Sequence, residues 1–459
     1  MHTDFIQLLE QIVEPADLLT DPNECLTYGY DNSRRQAQPL AVVFPRNESQ
    51  VVEIVKACNQ HHIPLIARGR GTGTTGATVP LHHELIISFE RMNRILKMDA
   101  DNRCMDVQPG VTNQQVQDCA AAHGFFWAPD PTSAAFCSVG GNLAYNSAGP
   151  RAVKYGSCRE NTLGLRAVTG NGELIQCGVH TTKGVVGYDF TRLLIGSEGS
   201  LALITQATLK LLPKPQTRHT LKAIYQSIDA AARAVSQIMA QPVTPCALEF
   251  MDSNALDMVR DYSSAELPLD AGAMLMIEVD GNKDTIMVDT EIMLAASKVE
   301  GHIETIIAAT AQEAAELWQT RKALSPCLRK IAPKKINEDV VVPVSEIPAL
   351  INGLDALSKQ HGIKIVNFGH AGNGNIHVNL LVNPDDRDEM QAAENCLHDV
   401  FTLVLKLNGT LSGEHGVGLE KRDYIAMELG QAEIRLMHQI KQVFDRNNIL
   451  NPQKTLPLE

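Results

Sequence analysis

The stretch His62-Ile63-Pro64-Leu65-Ile66-Ala67-Arg68-Gly69-Arg70-Gly71-Thr72-Gly73-Thr74-Thr75-Gly76 decides how the first half of this chain is read. Its opening residues form an apolar run of strand length that passes directly into a glycine-rich loop. Successive backbone N–H groups in such a loop make a nest for a pyrophosphate, and glycine lets the anion approach the backbone closely. No Gly-Lys-Ser/Thr follows, so the loop is not a P-loop, and it does not open the long apolar helix of a Rossmann motif. Taken singly, a flexible turn is an equal explanation.

The surroundings add weight. Ala41-Val42-Val43-Phe44-Pro45, Leu85–Ser88 and Cys104–Gln108 read as strands. Ser49 is placed to cap a helix from Gln50, with Val51, Val52, Ile54 and Val55 as its apolar face. This alternation is an α/β pattern. Further on come Pro131-Thr132-Ser133, Ser138-Val139-Gly140-Gly141-Asn142, Asn146-Ser147-Ala148-Gly149, Lys154-Tyr155-Gly156 and Gly196-Ser197-Glu198-Gly199-Ser200-Leu201. Each is weak alone; in this order they suit an extended cofactor lying on backbone. Leu211-Leu212-Pro213-Lys214-Pro215 ends this half, since two prolines break regular structure. From about 217 to 410, helices such as Ser227–Met239 alternate with strands such as Ala273–Val279 and Ile363–Phe368, a separate α+β domain. One long helix, Gln431–Asn447, dominates the C-terminal part.

The 459 residues predict two or three domains. With 44% hydrophobic and 20% charged residues the composition is that of an ordinary globular protein, which excludes disordered, collagen and coiled-coil classes. The net charge of −13 argues against nucleic acid and against a polybasic membrane patch. The 10 cysteines are scattered and never spaced as C-x-x-C, which speaks against a thiolate zinc or iron–sulfur site. The N-terminus has neither the basic nor the apolar region of a signal peptide, and no run is long enough to span a membrane. The expected compartment is the cytoplasm, with or without peripheral attachment to the inner membrane.

The chemistry concentrates further along. His370-Ala371-Gly372-Asn373-Gly374-Asn375-Ile376-His377 places two imidazoles around a Gly/Asn turn, and Ser412-Gly413-Glu414-His415-Gly416 adds a carboxylate and a third imidazole. Two imidazoles and one carboxylate make a facial site for a divalent metal with positions open to substrate. If the second segment is extended, Glu414 and His415 point apart, which suits Glu414 as ligand and His415 as general base. The alternative is that His415 is the ligand. Arg321, in Trp318-Gln319-Thr320-Arg321-Lys322, can clamp a carboxylate bidentately, although a basic surface helix face is an equal reading.

Together these motifs resemble the FAD-dependent D-2-hydroxyacid dehydrogenases of the vanillyl-alcohol-oxidase (PCMH-type FAD) superfamily, which include the FAD subunit of glycolate oxidase, cytochrome-type D-lactate dehydrogenase and D-2-hydroxyglutarate dehydrogenase. The likeness covers nearly the whole chain, from loop 68–76 to Asn451–Pro457. It implies an α+β protein: a PCMH-type FAD-binding domain over 1–215, a ferredoxin-like substrate domain over 216–415, and a C-terminal helical segment, 416–459, returning to the FAD domain. It implies that Arg68, Gly69, Arg70, Gly71, Thr72, Gly73 and Gly76 wrap the FAD pyrophosphate. Pro131, Thr132, Ser133, Gly140, Gly141, Asn146 and Gly149 would line the diphosphate and isoalloxazine, Glu198, Gly199 and Ile204 the adenosine side, with Asn451 in the C-terminal motif. Covalent relatives carry a histidine where this chain has Gly71-Thr72-Gly73, so noncovalent FAD is expected. Ala202-Leu203 and Gln453 depart from the usual Gly-Ile and Gly without removing a reacting group.

The resemblance further implies that His370, His377 and Glu414 bind zinc or manganese. His415 would abstract the hydroxyl proton, Arg321, Lys335 and Asn379 would contact the substrate carboxylate, and hydride would pass from C2 to flavin N5. A quinone, cytochrome or flavoprotein would reoxidise the flavin, within a homodimer or with partner oxidase subunits. The expected substrate is D-lactate or glycolate; D-2-hydroxyglutarate or D-malate is the alternative, if Arg321, Ser325 and Lys335 hold a second carboxylate. Rival classes are a non-catalytic flavin-binding subunit of an oxidase complex, a metallohydrolase and an oxygen-consuming oxidase.

Overall fold

The computed structural model describes residues 2–260 and 269–457. They form two compact units: Met1–Ala148, Gly156–Lys214 and Glu414–Glu459 make the first, and Gly149–Tyr155 with Pro215–Gly413 the second.

In the first unit a four-stranded sheet runs in the order Leu18–Leu19, Ala41–Val43, Leu85–Ser88, Leu65–Arg68, the last three strands parallel. The two central strands, Ala41–Val43 and Leu85–Ser88, are buried on both faces, as their unbroken apolar runs require. The helix expected from Gln50 starts two residues earlier, at Glu48, because Asn47 takes extended backbone and its Oδ1 accepts from Gln50 N–H at 3.0 Å. A second, antiparallel sheet has the order Ile95–Asp99, Cys104–Val107, Ala202–Lys210, Thr162–Thr169, Leu174–Gly178. Separate apolar clusters fill the space beside each sheet, one around Val43, Ile54 and Leu65, the other around Val107, Trp127 and Leu165.

The C-terminal part of this unit is stitched to its first sheet. The helix ends at Phe444 rather than at the expected Asn447, because the Asp445 carboxylate accepts the N–H groups of Ile449 (3.0 Å) and Leu450 (2.7 Å) and turns the chain back. Leu65 then pairs with the returning segment in an isolated bridge, through Leu65 N to Ile449 O (2.7 Å) and Asn451 N to Leu65 O (2.9 Å).

The second unit is built on one antiparallel sheet in the order His302–Ile307, Thr217–Tyr225, Ala273–Gly281, Ala247–Asp252, Lys364–His370, Asn375–Val382, Lys334–Val341. Helices including Ile228–Met239, Ala311–Ile331, Ile347–His361 and Arg387–Lys406 complete it. The short segment Gly149–Tyr155, which a division by sequence leaves with the first half, packs here. Lys154 donates to Asp280 Oδ1 (2.6 Å), and the Tyr155 hydroxyl donates to the same carboxylate (2.8 Å). All ten cysteines are free. Among the described residues no helix is long and apolar enough to cross a membrane.

Candidate active site

The parallel strand Leu65–Arg68 delivers the glycine loop to a cleft with about 610 Å³ of empty space. Arg68, Gly69, Gly140, Gly141, Glu198, Gly199 and Ile204 line it together with Ser138 and Tyr145. Arg68 is buried; its Nη1 donates to Tyr30 O at 2.7 Å, and its guanidinium lies 5.8 Å from the Tyr28 ring centroid and 5.9 Å from that of Tyr30. Gly71 must be glycine here, since its φ is +64° and a Cβ would sit 2.3 Å from Arg68 Nη2. Ser138 caps the helix Val139–Tyr145 by accepting from Gly141 N–H (3.3 Å), which turns the Gly140-Gly141 backbone onto the cleft.

Other expected cofactor residues lie outside that lining. Arg70, Gly71, Thr72, Gly73, Gly76, Pro131, Thr132, Ser133, Asn146 and Asn451 belong to the same unit but not to the cleft lining, and Gly149 belongs to the second unit. Asn146 ends its helix in the left-handed conformation and accepts from Ser157 Oγ (2.9 Å) and Arg159 N–H (3.0 Å). Glu198 is buried with φ +53°, and its carboxylate accepts the N–H groups of Val417 (2.6 Å) and Gly418 (2.8 Å) and the Thr455 hydroxyl (3.0 Å). Burial nevertheless wins, and the carboxyl is pushed above the ordinary range. Asn451 Nδ2 donates to Glu198 O (2.9 Å). Lys454, also buried, donates to Asn451 Oδ1 (2.9 Å) and Ala77 O (3.1 Å). Burial brings the Lys454 ammonium down to about 8 against the raising influence of Glu84, Asp31 and Glu198.

In the second unit, strand register does the positioning. Phe368 pairs with His377 and His370 with Asn375, so the two histidines are diagonal neighbours on one face of the hairpin. The hairpin closes through a 3-10 turn, Ala371–Asn373, and Gly374 at φ +73°, where a Cβ would fall 1.8 Å from Val342 O. The imidazole centroids are 5.2 Å apart with planes at 83°, and ligating nitrogens of the two rings come within 4.8 Å of each other. Gly413 is pinned to Asp339 by N–H to Oδ2 (3.0 Å) and to the backbone O (2.9 Å), and Glu414 is the next residue along the chain. Glu414 and His415 occupy bends, not the extended strand that would have forced them apart.

Sequence reasoning missed Glu249. It lies in strand Ala247–Asp252, fully buried, one step along the register from the Phe250–Gly369 pair. Its Oε1 is 2.6 Å from His370 Nδ1, and its Oε2 accepts from Arg321 Nε at 2.6 Å. Burial raises such a carboxyl, but the adjoining His370 and Arg321 outweigh it and hold Glu249 below the ordinary range. The Arg321 guanidinium also lies 5.0 Å from the Phe368 ring. The available signal was a lone charge inside the apolar run Ala247-Leu248-Glu249-Phe250-Met251.

The remaining expected contacts divide. Lys335 donates to Ser325 Oγ at 2.8 Å. Asn379 is buried in the sheet; its Nδ2 donates to Val366 O (3.1 Å) and His377 O (3.0 Å), and its Oδ1 accepts from Asn337 (2.6 Å). That side chain therefore braces the sheet beside His377.

Residues 214–455 match the family model of the FAD linked oxidases, C-terminal domain, and residues 39–178 match an FAD binding domain. The chain belongs to the FAD-linked oxidases. It is 40% identical over 98% of its length to glycolate oxidase subunit GlcD of Bacillus subtilis (strain 168), covering 96% of that relative. It is 32% identical over 98% of its length to the D-2-hydroxyglutarate dehydrogenase of Stutzerimonas stutzeri (strain A1501), covering 98% of it. Among solved structures, p-cresol methylhydroxylase with substrate bound superposes with a TM-score of 0.81 at 18% identity, over 99% of this chain and 97% of that one. The α+β, PCMH-type architecture expected from the sequence is therefore the fold of this FAD-linked oxidase, and the chain is an oxidoreductase that uses FAD. The cleft fits that cofactor: four of its lining residues, Gly69, Gly140, Gly141 and Gly199, are glycines, where a pyrophosphate can approach the backbone closely.

Proposed function

We propose that this FAD-linked oxidase converts a small D-2-hydroxy acid, D-lactate or glycolate, to the 2-oxo acid. FAD is held noncovalently in the first unit, and a zinc or manganese ion is held by His370, His377 and Glu414. One observation carries the reading: two buried imidazoles converge on one sheet face near a pinned Gly413, in a chain of a flavin-dependent family. The name of the Bacillus subtilis relative points to the same class of acid.

FAD, when bound, supplies the acceptor for the electron pair leaving C2. His370, His377 and Glu414 would hold a divalent cation, which would supply Lewis acidity there. His415 takes the hydroxyl proton as general base. Lys335, steadied by Ser325, offers its ammonium to the substrate carboxylate, whereas Arg321 is shared with Glu249 and Asn379 with the sheet. Glycine in place of a loop histidine at Gly71-Thr72-Gly73 supports noncovalent flavin. Electrons leave through partner oxidase subunits, as the word subunit in that relative's name suggests, to a quinone, cytochrome or flavoprotein.

A second reading, D-2-hydroxyglutarate, is favoured by the Stutzerimonas stutzeri relative and by two cationic side chains, Arg321 and Lys335, able to meet two carboxylates. Anaerobic mixing with each acid, followed by flavin absorbance, separates them. Bleaching by D-lactate or glycolate but not L-lactate, lost with a chelator and in His370→Ala, is the expected result. Bleaching by D-2-hydroxyglutarate alone moves the assignment to the second reading, and a flavin that stays oxidised with every acid refutes both.

A further inference from the structure

The proposed chemistry assigns no task to Glu249, although it is a fully buried glutamate bound to a proposed cation ligand. Its two oxygens are divided: Oε1 lies 2.6 Å from His370 Nδ1, and Oε2 accepts from Arg321 Nε, also at 2.6 Å. A carboxylate held this way can accept from the imidazole only if the ring hydrogen is on Nδ1, which leaves the lone pair on Nε2. The guanidinium compensates the buried negative charge and prevents the carboxylate from turning towards the metal position itself. Arg321 is fixed in its turn, since it leans on Phe368, two residues before His370 on the same strand.

Resting on the cation reading above, we propose that Glu249 is a positioning residue for this site. It sets the His370 tautomer and ring orientation so that Nε2 is the ligating atom, and Arg321 is its anchor. Sheet register makes the arrangement rigid, because Glu249 and His370 sit on adjacent, directly hydrogen-bonded strands. Carboxylates that hold ligating histidines typically change metal affinity about 10- to 100-fold when removed.

The test uses the full-length, FAD-loaded protein, freed of metal by a chelator and labelled with 15N-histidine. The His370 resonances are identified by their loss in His370→Ala. The expected wild-type spectrum shows the hydrogen on Nδ1 of His370. In Glu249→Gln a mixture of tautomers is expected, with zinc affinity by titration calorimetry falling about 10- to 100-fold while flavin content and near-ultraviolet circular dichroism stay unchanged. A wild-type His370 with its hydrogen on Nε2 overturns the proposal without any variant. Undiminished zinc affinity in Glu249→Gln overturns the positioning role and leaves the cation site intact. Wild-type protein that shows the Nδ1–H tautomer yet takes up no zinc overturns the cation reading and this role together.

Discussion

Glu198 and Glu249 are both buried glutamates, one in each unit, and they end on opposite sides of the ordinary carboxyl range. Glu198 is met by backbone N–H groups and a hydroxyl; burial still pushes its carboxyl up. Glu249 is met by an imidazole and a guanidinium, which overcome the same burial and hold it down. Burial alone therefore says little about what a charge is for; the partners decide. Backbone and hydroxyl donors make Glu198 a clasp on the C-terminal segment, whereas a guanidinium and an imidazole make Glu249 part of a polar chain that includes His370. The first unit brings glycine backbone to its site at Gly69, Gly140, Gly141 and Gly199, whereas the second brings histidine and glutamate side chains.

The comparison breaks most visibly at Glu249. Glu249→Leu strands the Arg321 guanidinium without its counter-charge and His370 Nδ1 without its acceptor, and removing one partner of a buried ion pair costs about 3–5 kcal/mol. Urea unfolding followed by near-ultraviolet circular dichroism should show a loss of that size, and a loss under about 1 kcal/mol would mean that solvent reaches the pair. Glu198→Ala comes next, at about 2–3 kcal/mol, because two backbone donors lose their acceptor. Its pH dependence has a fixed sign. A carboxyl raised above its unfolded value of 4.5 contributes stability that is present below that value and lost as the pH rises through the folded one. The stability gap between wild type and Glu198→Ala should therefore widen on acidification from pH 7 towards pH 4.

What the sequence made legible follows the same division. Loop 68–76, Ser138–Gly141 and the His370–His377 turn were readable because each is a local signal: glycines where backbone must bend, histidines at hairpin spacing. Glu249 was not, because its partnership with His370 exists only through strand pairing between segments far apart in the chain. The uses of Glu198 and Asn146 were illegible for a related reason. Both sit in glycine-rich runs that suit a cofactor, and their side chains also bind Val417-Gly418 and Ser157–Arg159, partners that no local pattern announces. Asn379 shows the converse, a site-like residue whose amide hydrogens go to two sheet carbonyls.

Lys454 sharpens the clasp side of the comparison. Its ammonium is lowered from 10.5 to about 8, so the unfolded chain binds a proton that the folded chain has released. Wild-type stability should rise with pH between about 8 and 10.5, at no more than about 1.4 kcal/mol per pH unit from this group. Lys454→Met should flatten that slope, and an unchanged slope would place its origin elsewhere.

The smallest effect is expected where backbone makes the site. Gly71→Ala forces a Cβ into the left-handed region, a cost of about 1–2 kcal/mol, and brings it against the Arg68 guanidinium. Arg68 is the far end of a side chain and can swing away, so the fold should survive with a modest fall in melting temperature. That swing gives up the hydrogen bond to Tyr30 O and the place of the guanidinium beside Tyr28 and Tyr30, in a residue that lines the cleft. Flavin retention on gel filtration should therefore drop more than stability does. Full flavin retention in Gly71→Ala would show that the glycines here serve folding alone, and the contrast between a backbone-built and a side-chain-built site would fail at its first unit.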